Sequence, residues 1–376
     1  MTSVAILTFY YKTYNYGAML QAYALTKTIN NMGVDCRQIS YIRDKKGLFL
    51  RKIRRIIQVP GRQRRVFFEI QLKKLSGKIS GRKPSQYTIC TIEAFDRFAE
   101  EIPHTEVVNR DTIQNLVPDF DVFVVGSDQV WNPEFVTMRF FFDFLPDDKR
   151  RASYAASIRV PRYEKKEGRI IRGLLEKFCC ITVREKGAVQ ILKRIGVDKD
   201  IKVVLDPTML LTKDSWCEML TDPEIYDKYV LTYLIRDNSV RRKIEELARE
   251  RGLKIIEVTR PNDESRPEGD LYIQLDYVGP REFAGLIKNA EFVFPDSFHG
   301  TALSVIFQKE FVVISGDNTD ERKHSILAAL GLKNRIVSPD GDIQATMNNP
   351  IDYQIVEKKL SVLRENSMNI LREIVL

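Results

Sequence analysis

Glu291-Phe292-Val293-Phe294, Asp296-Ser297-Phe298-His299-Gly300-Thr301 and Ala302-Leu303-Ser304-Val305-Ile306-Phe307 follow one another with only Pro295 between the first two. The first run is apolar and strand-like, the second is a turn, and the third reads as a buried helix. A strand that passes through a Ser/His/Gly/Thr turn into a helix gathers free backbone N–H groups, a positive dipole end and a titratable imidazole at one point. That combination suits an anion and a proton transfer. Of the three histidines, His104, His299 and His324, only His299 lies in such a turn. The competing reading is a histidine that merely caps or packs.

The same alternation continues outward from this stretch. Short apolar, β-branched runs are separated by longer amphipathic ones, the pattern of α/β units on a parallel sheet. Strands are expected at Val4–Tyr10, Val34–Tyr41, Asp121–Val125, Arg151–Ala156, Phe178–Val183 and Lys202–Leu205, with helices at Ala18–Met32, about Ile113, Glu164–Lys177 and Lys186–Ile195. A second series begins beyond Asp206-Pro207-Thr208 and Thr221-Asp222-Pro223. Its strands are expected at Tyr229–Ile235, Lys254–Val258, Glu291–Phe294 and Phe311–Ile314, among helices Val240–Arg251, Arg281–Lys288 and Thr301–Gln308. Two such series predict two facing Rossmann-like α/β domains, residues 1–220 with a basic helical insert at 43–100, and residues 221–345. A last amphipathic helix within 346–376 is long enough to pack back on the first domain. Ligands of open parallel sheets sit outside the strand C-termini, which places the site in the cleft.

At 376 residues, with 44% hydrophobic and 29% charged side chains, the composition is that of an ordinary two-domain globular protein. No stretch approaches the ~20 apolar residues of a membrane span. The opening run Val4-Ala5-Ile6-Leu7-Thr8-Phe9 is too short for an export signal and lacks its basic flank. Five cysteines, Cys36, Cys90, Cys179, Cys180 and Cys217, show no Cys-x-x-Cys spacing and read as buried thiols in a reducing cytoplasm.

The net charge of +8 is concentrated in one place: between Arg43 and Lys83 fifteen Lys/Arg face two acids, a local +13 that leaves −5 elsewhere. With only Phe49, Phe67 and Phe68 as aromatics and no recognisable module, this segment does not read as a nucleic-acid binder. Leu48, Phe49, Ile53, Ile56 and Ile57 recur at helical spacing among Arg51, Lys52, Arg54 and Arg55. Residues 47–57 are therefore expected either to lie on an anionic membrane surface or to pack an apolar stripe on the first domain.

Three more segments follow expected strands. Tyr14-Asn15-Tyr16-Gly17-Ala18-Met19-Leu20-Gln21 lacks the Gly-x-Gly-x-x-Gly of a dinucleotide site. Gly17 permits close backbone approach, while Asn15 and Gln21 offer hydrogen bonds to a hydroxyl-rich ligand, or simply a capped turn. Val125-Gly126-Ser127-Asp128-Gln129-Val130-Trp131-Asn132-Pro133 has the make-up of a carbohydrate surface, with Gln129 and Asn132 for hydroxyls and Trp131 either a sugar platform or core. Asp128 is a carboxylate that needs a partner. In Ile181-Thr182-Val183-Arg184-Glu185-Lys186 a guanidinium ends an apolar strand, either paired with an acid or aimed at an anion. Arg322 adds a cation downstream of His299. Two arginines, a helix N-terminus and one histidine make a site for a small, doubly anionic molecule. With no Cys/His or Ser/His/Asp order and no metal-ligand cluster, neither metal nor cofactor is expected, and acid/base group transfer fits better.

Taken in order, Asn15-Tyr16-Gly17-Ala18-Met19-Leu20-Gln21, Gly126-Ser127-Asp128-Gln129-Val130-Trp131-Asn132-Pro133, Ser153-Tyr154-Ala155-Ala156-Ser157, Val183-Arg184-Glu185, Leu205-Asp206-Pro207-Thr208, Tyr277-Val278-Gly279-Pro280-Arg281-Glu282-Phe283 and Asp296-Ser297-Phe298-His299-Gly300-Thr301 resemble the motif series of the polysaccharide pyruvyl transferase family. The resemblance runs from about residue 4 to residue 335. It implies a glycosyltransferase-B-like fold with the acceptor side in 1–220 and the donor side in 221–345. It also implies transfer of the pyruvyl group of phosphoenolpyruvate onto two hydroxyls of a sugar, in a bacterial surface polysaccharide or its lipid-linked precursor, with release of phosphate. The resemblance puts phosphoenolpyruvate at Arg184 and Ser297-Phe298-His299, with Arg322 where a basic residue often follows; in the reaction it implies, the Gly300 and Thr301 N–H groups are expected to help hold the donor and His299 to give the proton. Asp128 accepts a hydroxyl proton, and Asn15, Tyr16, Gly17, Gln21, Gln129 and Asn132 face the acceptor. The enzyme is expected in the cytoplasm or at the inner face of the membrane. The basic insert departs from the family's compact core. A nucleotide-sugar-dependent glycosyltransferase is the alternative that the fold would also suit, although no nucleoside diphosphate pocket is visible.

Overall fold

The computed structural model describes residues 2–42, 84–133, 137–158, 162–233, 238–260, 266–315 and 321–376. The basic run 43–83, including 47–57, lies outside them. β1 (Ser3–Leu7), β2 (Asp35–Tyr41), β3 (His104–Val108), β4 (Val122–Val125) and β5 (Arg150–Ser153) form a parallel sheet in the order β3-β2-β1-β4-β5. Isolated bridges Ala152 to Cys180 and Ala156 to Val183 carry it on to β6 (Ile181–Val183) and β7 (Ile201–Val203).

Strand β1 shows why both faces must be covered. Val4 and Ile6 enter one hydrophobic cluster and Ala5 and Leu7 another, as the two-residue period of a strand dictates. Helices Tyr16–Asn30 and Gln86–Glu101 supply Leu20, Phe95 and Phe98 to the first cluster. Trp131, Phe140 and Phe141 fill the second.

The other sheet contains β8 (Tyr229–Tyr233), β9 (Lys254–Val258), β10 (Phe292–Pro295) and β11 (Glu310–Phe311), parallel in the order β11-β10-β8-β9. Strand order reverses between β1 and β4 in the first sheet and between β8 and β10 in the second. Each reversal opens a crevice at the strand C-termini.

The first cluster is shared by both halves, since it also holds Tyr233, Val278, Phe283 and Phe298. Tyr16 stacks on Phe283 at 4.4 Å between centroids and donates its hydroxyl hydrogen to the Val278 carbonyl at 2.8 Å. The last helix, Tyr353–Val375, returns to the first half: the Leu205 N–H donates to Ser367 Oγ at 3.0 Å and Arg364 Nε to the Met209 carbonyl at 2.9 Å.

Two expectations change. Residues 84–100 are not part of a basic insert: helix Gln86–Glu101 buries Tyr87, Phe95 and Phe98 in the shared core and leads into the edge strand β3. The apolar spacing of that helix is clear once it is separated from the charge run before it. Of the five thiols, all free, only Cys36 is buried, and Cys179 is exposed because it lies ahead of β6 and not within it. No helix among the described residues is long and apolar enough to cross a membrane.

Candidate active site

Loops that leave β1, β4, β6 and β7 converge with the turn after β10 around a single guanidinium. Arg184, whose side chain is 2% exposed, donates from Nη1 to Asp206 Oδ2 at 2.6 Å. Its Nη2 lies 3.6 Å from Asp128 Oδ1 and its Nε 3.8 Å from Glu185 Oε2. The guanidinium carbon is 4.6 Å from the centroid of the Phe298 ring, which belongs to the other half. Arg184 Nε and Nη2, Glu185 Oε2 and His299 Nε2 are buried polar atoms without a hydrogen bond. Buried polar atoms are normally bonded, so four such atoms gathered here mark a binding or catalytic position.

Asp206 is the hub of the cluster. Its Oδ1 accepts the Thr208 N–H at 3.0 Å and the Thr208 hydroxyl at 2.7 Å, while Oδ2 accepts from Arg184 and from the Ser127 hydroxyl at 2.9 Å. His299 Nε2 stands 3.6 Å from Oδ2, a charge contact too long for a hydrogen bond. Burial alone would raise this carboxyl's pKa; His299, Arg184 and Thr208 outweigh it and hold Asp206 well below the usual carboxylate range. Glu185 goes the other way. Its Oε1 accepts the Ser157 hydroxyl at 2.9 Å and the Ile158 N–H at 2.8 Å. Burial nevertheless prevails over these bonds, Arg184 and Arg322, and pushes its pKa up. Burial opposes the charge of Arg184 too, but Asp206, Asp128 and Glu185 raise its pKa above the ordinary value. Two nearby carboxyls driven in opposite directions are the raw material of acid/base chemistry.

His299 arrives from the second half, at the second position of helix Phe298–Ile306. Ser297 caps that helix by accepting the Gly300 N–H at 2.9 Å, and the Thr301 N–H goes to the Ser297 carbonyl at 3.1 Å. Gly300 and Thr301, expected to hold an anion, therefore spend their donors inside the helix. A capped first turn leaves the Phe298 and His299 N–H groups as the two without a partner inside the helix. Gly17 makes room for the imidazole, since a Cβ there would overlap His299 Nδ1. Gly187 likewise accommodates the Glu321 carboxylate from the other half.

Gly17→Ala isolates this steric demand. Alanine suits a helix better than glycine by about 1 kcal/mol, so the helix itself does not suffer. The displaced imidazole is expected to cost roughly tenfold or more in turnover. Turnover within twofold of wild type, measured at unchanged melting temperature, would show that the ring has freedom to shift.

Several residues expected to face an acceptor are structural. Gln21 is buried and donates to Thr8 Oγ1 at 3.1 Å and to the Ala18 carbonyl at 2.9 Å. Thr8 in turn donates to the Ser127 carbonyl at 2.7 Å, so Gln21 braces the floor beneath Asp128. Tyr16 is consumed by the interface between the halves described above. Asn132 is buried and donates to Gln129 Oε1 at 2.9 Å. Trp131, wholly buried, stacks on Phe141 and donates its Nε1–H to the Phe140 carbonyl at 2.8 Å, so it is core and no sugar platform. Asn15 remains exposed and caps helix Tyr16–Asn30 by accepting the Ala18 N–H at 3.2 Å.

Asp128 keeps its place in the crevice, with its side chain 16% exposed. Its φ of 73° is left-handed, held by its carbonyl accepting the Val130 and Ser157 N–H groups. Arg322, on helix Glu321–Leu330, acts on Glu185 across the cleft. Its neighbour Lys323 is the more buried of the two, donating from Nζ to the Asp296 carbonyl at 3.0 Å. Sequence reasoning assigned no role to Asp206, Ser127 or Lys323. Asp206 had one available signal, a carboxylate that directly follows an apolar strand; Lys323, inside Glu321-Arg322-Lys323-His324, had none. Among the described residues no three His, Cys, Asp or Glu side chains are grouped to hold a metal ion.

A sequence model of the polysaccharide pyruvyl transferase family matches residues 15–318. No curated protein matches. Among solved structures, the UDP-GlcNAc 2-epimerase of Methanocaldococcus jannaschii is similar with a TM-score of 0.52 at 13% identity, over 99% of each chain. The UDP-GlcNAc 2-epimerase of Neisseria meningitidis bound to UDP-GlcNAc gives 0.51 at 11% identity, over 100% of this chain and 99% of that one. The UDP-N-acetylglucosamine 2-epimerase of Rickettsia bellii gives 0.52 at 11%, with the same coverage. At these identities the likeness is one of fold, the glycosyltransferase-B-like pair of Rossmann-like halves.

Proposed function

The chain belongs to the polysaccharide pyruvyl transferase family, and from that premise we propose that it moves the pyruvyl group of phosphoenolpyruvate onto two hydroxyls of one sugar and releases phosphate. The observation that carries this reading is the unbonded Nε and Nη2 edge of buried Arg184 beside the unbonded Nε2 of His299. Such an edge grips a carboxylate or phosphate with two parallel hydrogen bonds.

Phosphoenolpyruvate becomes electrophilic at C2 when C3 is protonated, and His299 as imidazolium supplies that proton. Arg184, Arg322 and the Phe298 and His299 N–H groups hold the donor's phosphate and carboxylate. The first sugar hydroxyl then attacks C2, the C2–O bond to phosphate breaks, and a second hydroxyl closes the ketal. Of the two hydroxyl protons, one restores the proton spent on C3 and the other departs with phosphate. The hydroxyl proton goes in this reading to Asp128, supported by its being the most exposed of the carboxylates around Arg184. The acceptor we propose is a sugar of a bacterial surface polysaccharide or of its lipid-linked precursor, met at the cytoplasmic face of the membrane.

The direct test follows phosphate release from phosphoenolpyruvate with free and lipid-linked oligosaccharides, and weighs the product for an added pyruvate ketal. Transfer from a nucleotide sugar without consumption of phosphoenolpyruvate would replace this reading with the glycosyltransferase one. Arg184→Lys tests the grip: an ammonium cannot reproduce a two-pronged contact, so donor binding should weaken by about 1.5–3 kcal/mol. An unchanged dissociation constant in calorimetric titration would assign Arg184 to structure alone.

A further inference from the structure

The neighbourhood of Arg184 already holds three carboxylates before any anion enters. Asp206 accepts hydrogen bonds from Arg184, Ser127 and Thr208, so it stays ionised. Asp128 is the one with the most access to solvent. Glu185 differs from both: its side chain is 2% exposed, and its Oε2 has no hydrogen bond and lies across the Nε edge of Arg184 at 3.8 Å. The groups that act on it are Arg184 beside it, the Ser157 hydroxyl and Ile158 N–H after β5, Tyr163, and Arg322 from helix Glu321–Leu330, whose Glu321 rests on Gly187, while Asp128 after β4 lies on the same guanidinium. Among the described residues Arg184 and Arg322 are the cations that act on Glu185. An anion with two or more charges on the Arg184 edge would sit against the Glu185 oxygen in a place with little solvent to screen it, where like charges do not both persist.

We propose that Glu185 takes up a proton when the anionic donor occupies the Arg184 edge, so that the donor's charge replaces a carboxylate charge instead of adding to it. The proton comes from solvent, forms the Oε2–H bond, and returns to solvent when phosphate leaves. Glu185 is thus a positioning residue that opens the guanidinium to the donor. The burial that raises its pKa agrees with this role. The proposal rests on phosphoenolpyruvate being the donor.

Phosphoenolpyruvate is titrated calorimetrically at pH 8 in buffers of differing ionisation enthalpy, where a phosphate monoester, with a second pKa of about 6, carries no proton of its own. Wild type is expected to take up roughly one proton per donor bound, and Glu185→Gln close to none. The glutamine keeps an oxygen for Ser157 and Ile158, removes a buried charge, and should bind the donor at least as tightly with an undiminished melting temperature. Asp128→Asn should retain the uptake. Binding by wild type without proton uptake overturns the proposal. Equal uptake in Glu185→Gln, loss of uptake in Asp128→Asn, or a tenfold weaker affinity in Glu185→Gln does so as well. Failure of wild type to bind phosphoenolpyruvate at all would overturn the donor reading itself, and the proposal with it.

Discussion

His299→Gln is expected to lower turnover by about 10²- to 10⁴-fold while phosphoenolpyruvate binds within a few-fold of its normal affinity. Glutamine approximates the length of the imidazole and can still offer an N–H towards Asp206, so the site should remain assembled. What it lacks is an acidic proton to give to C3. The imidazole is packed on Gly17 with its Nε2 3.6 Å from a carboxylate that remains ionised, an arrangement that orients the ring. Steady-state turnover and calorimetric affinity, measured on the same preparations, separate the two possible roles. Turnover within threefold of wild type would remove His299 from proton transfer. A large loss of affinity with turnover intact would make it a donor-binding residue.

The legible part of this site was the part written locally. Arg184, His299 and Asp128 each break an apolar run at its C-terminal end, and in a parallel sheet that is where a polar side chain meets the cleft. Whether such a residue faces ligand or protein is a different question, and local pattern does not answer it. Gln21 and Asn132 look like partners for hydroxyls because they follow strands. They are buried because Thr8 and Gln129, their hydrogen-bond partners, lie in the same crevice floor. Tyr16 is drawn away from the cleft by Phe283, a residue of the other half that no periodicity in the first half could announce. The same limit hid Asp206, which lies 22 positions from Arg184 in sequence yet makes its shortest hydrogen bond. Helix Gln86–Glu101 was obscured for a simpler reason. Its apolar positions begin immediately after a strongly basic run, and an average over both reads as charge.

Contacts between the halves explain why the site is complete only when they meet. The Phe298 ring lies against the Arg184 guanidinium, His299 fills the space that Gly17 leaves, and Glu321 fills the space at Gly187. The first half supplies the guanidinium and the carboxylates; the second supplies the imidazole and the aromatic face. In the proposed reaction the acid of the second half and the Arg184 guanidinium of the first would act on one donor, so proton transfer would require both halves to meet around it.

Asp206→Ala is expected to cost about 3–5 kcal/mol of folding free energy at neutral pH, because it leaves a buried guanidinium without its principal partner. Ser127 and Thr208 lose an acceptor at the same time. The pH dependence identifies the cause. The Asp206 carboxyl is held well below its unfolded value of about 3.9, so its stabilisation is present in full above that pH and is lost as pH falls towards the folded value. The gap in unfolding free energy between wild type and Asp206→Ala should therefore be flat from pH 8 to pH 5. Below about pH 4 it should narrow by about 1.4 kcal/mol per pH unit, since the unfolded wild-type chain then gains a proton that the folded one refuses. Urea unfolding at a series of pH values measures this gap. A gap below 1 kcal/mol at pH 7 would mean that Asp128 or Glu185 has moved in to pair with Arg184. A gap that stays constant down to pH 3 would mean that hydrogen bonding by Asp206, independent of its charge, is what the fold loses.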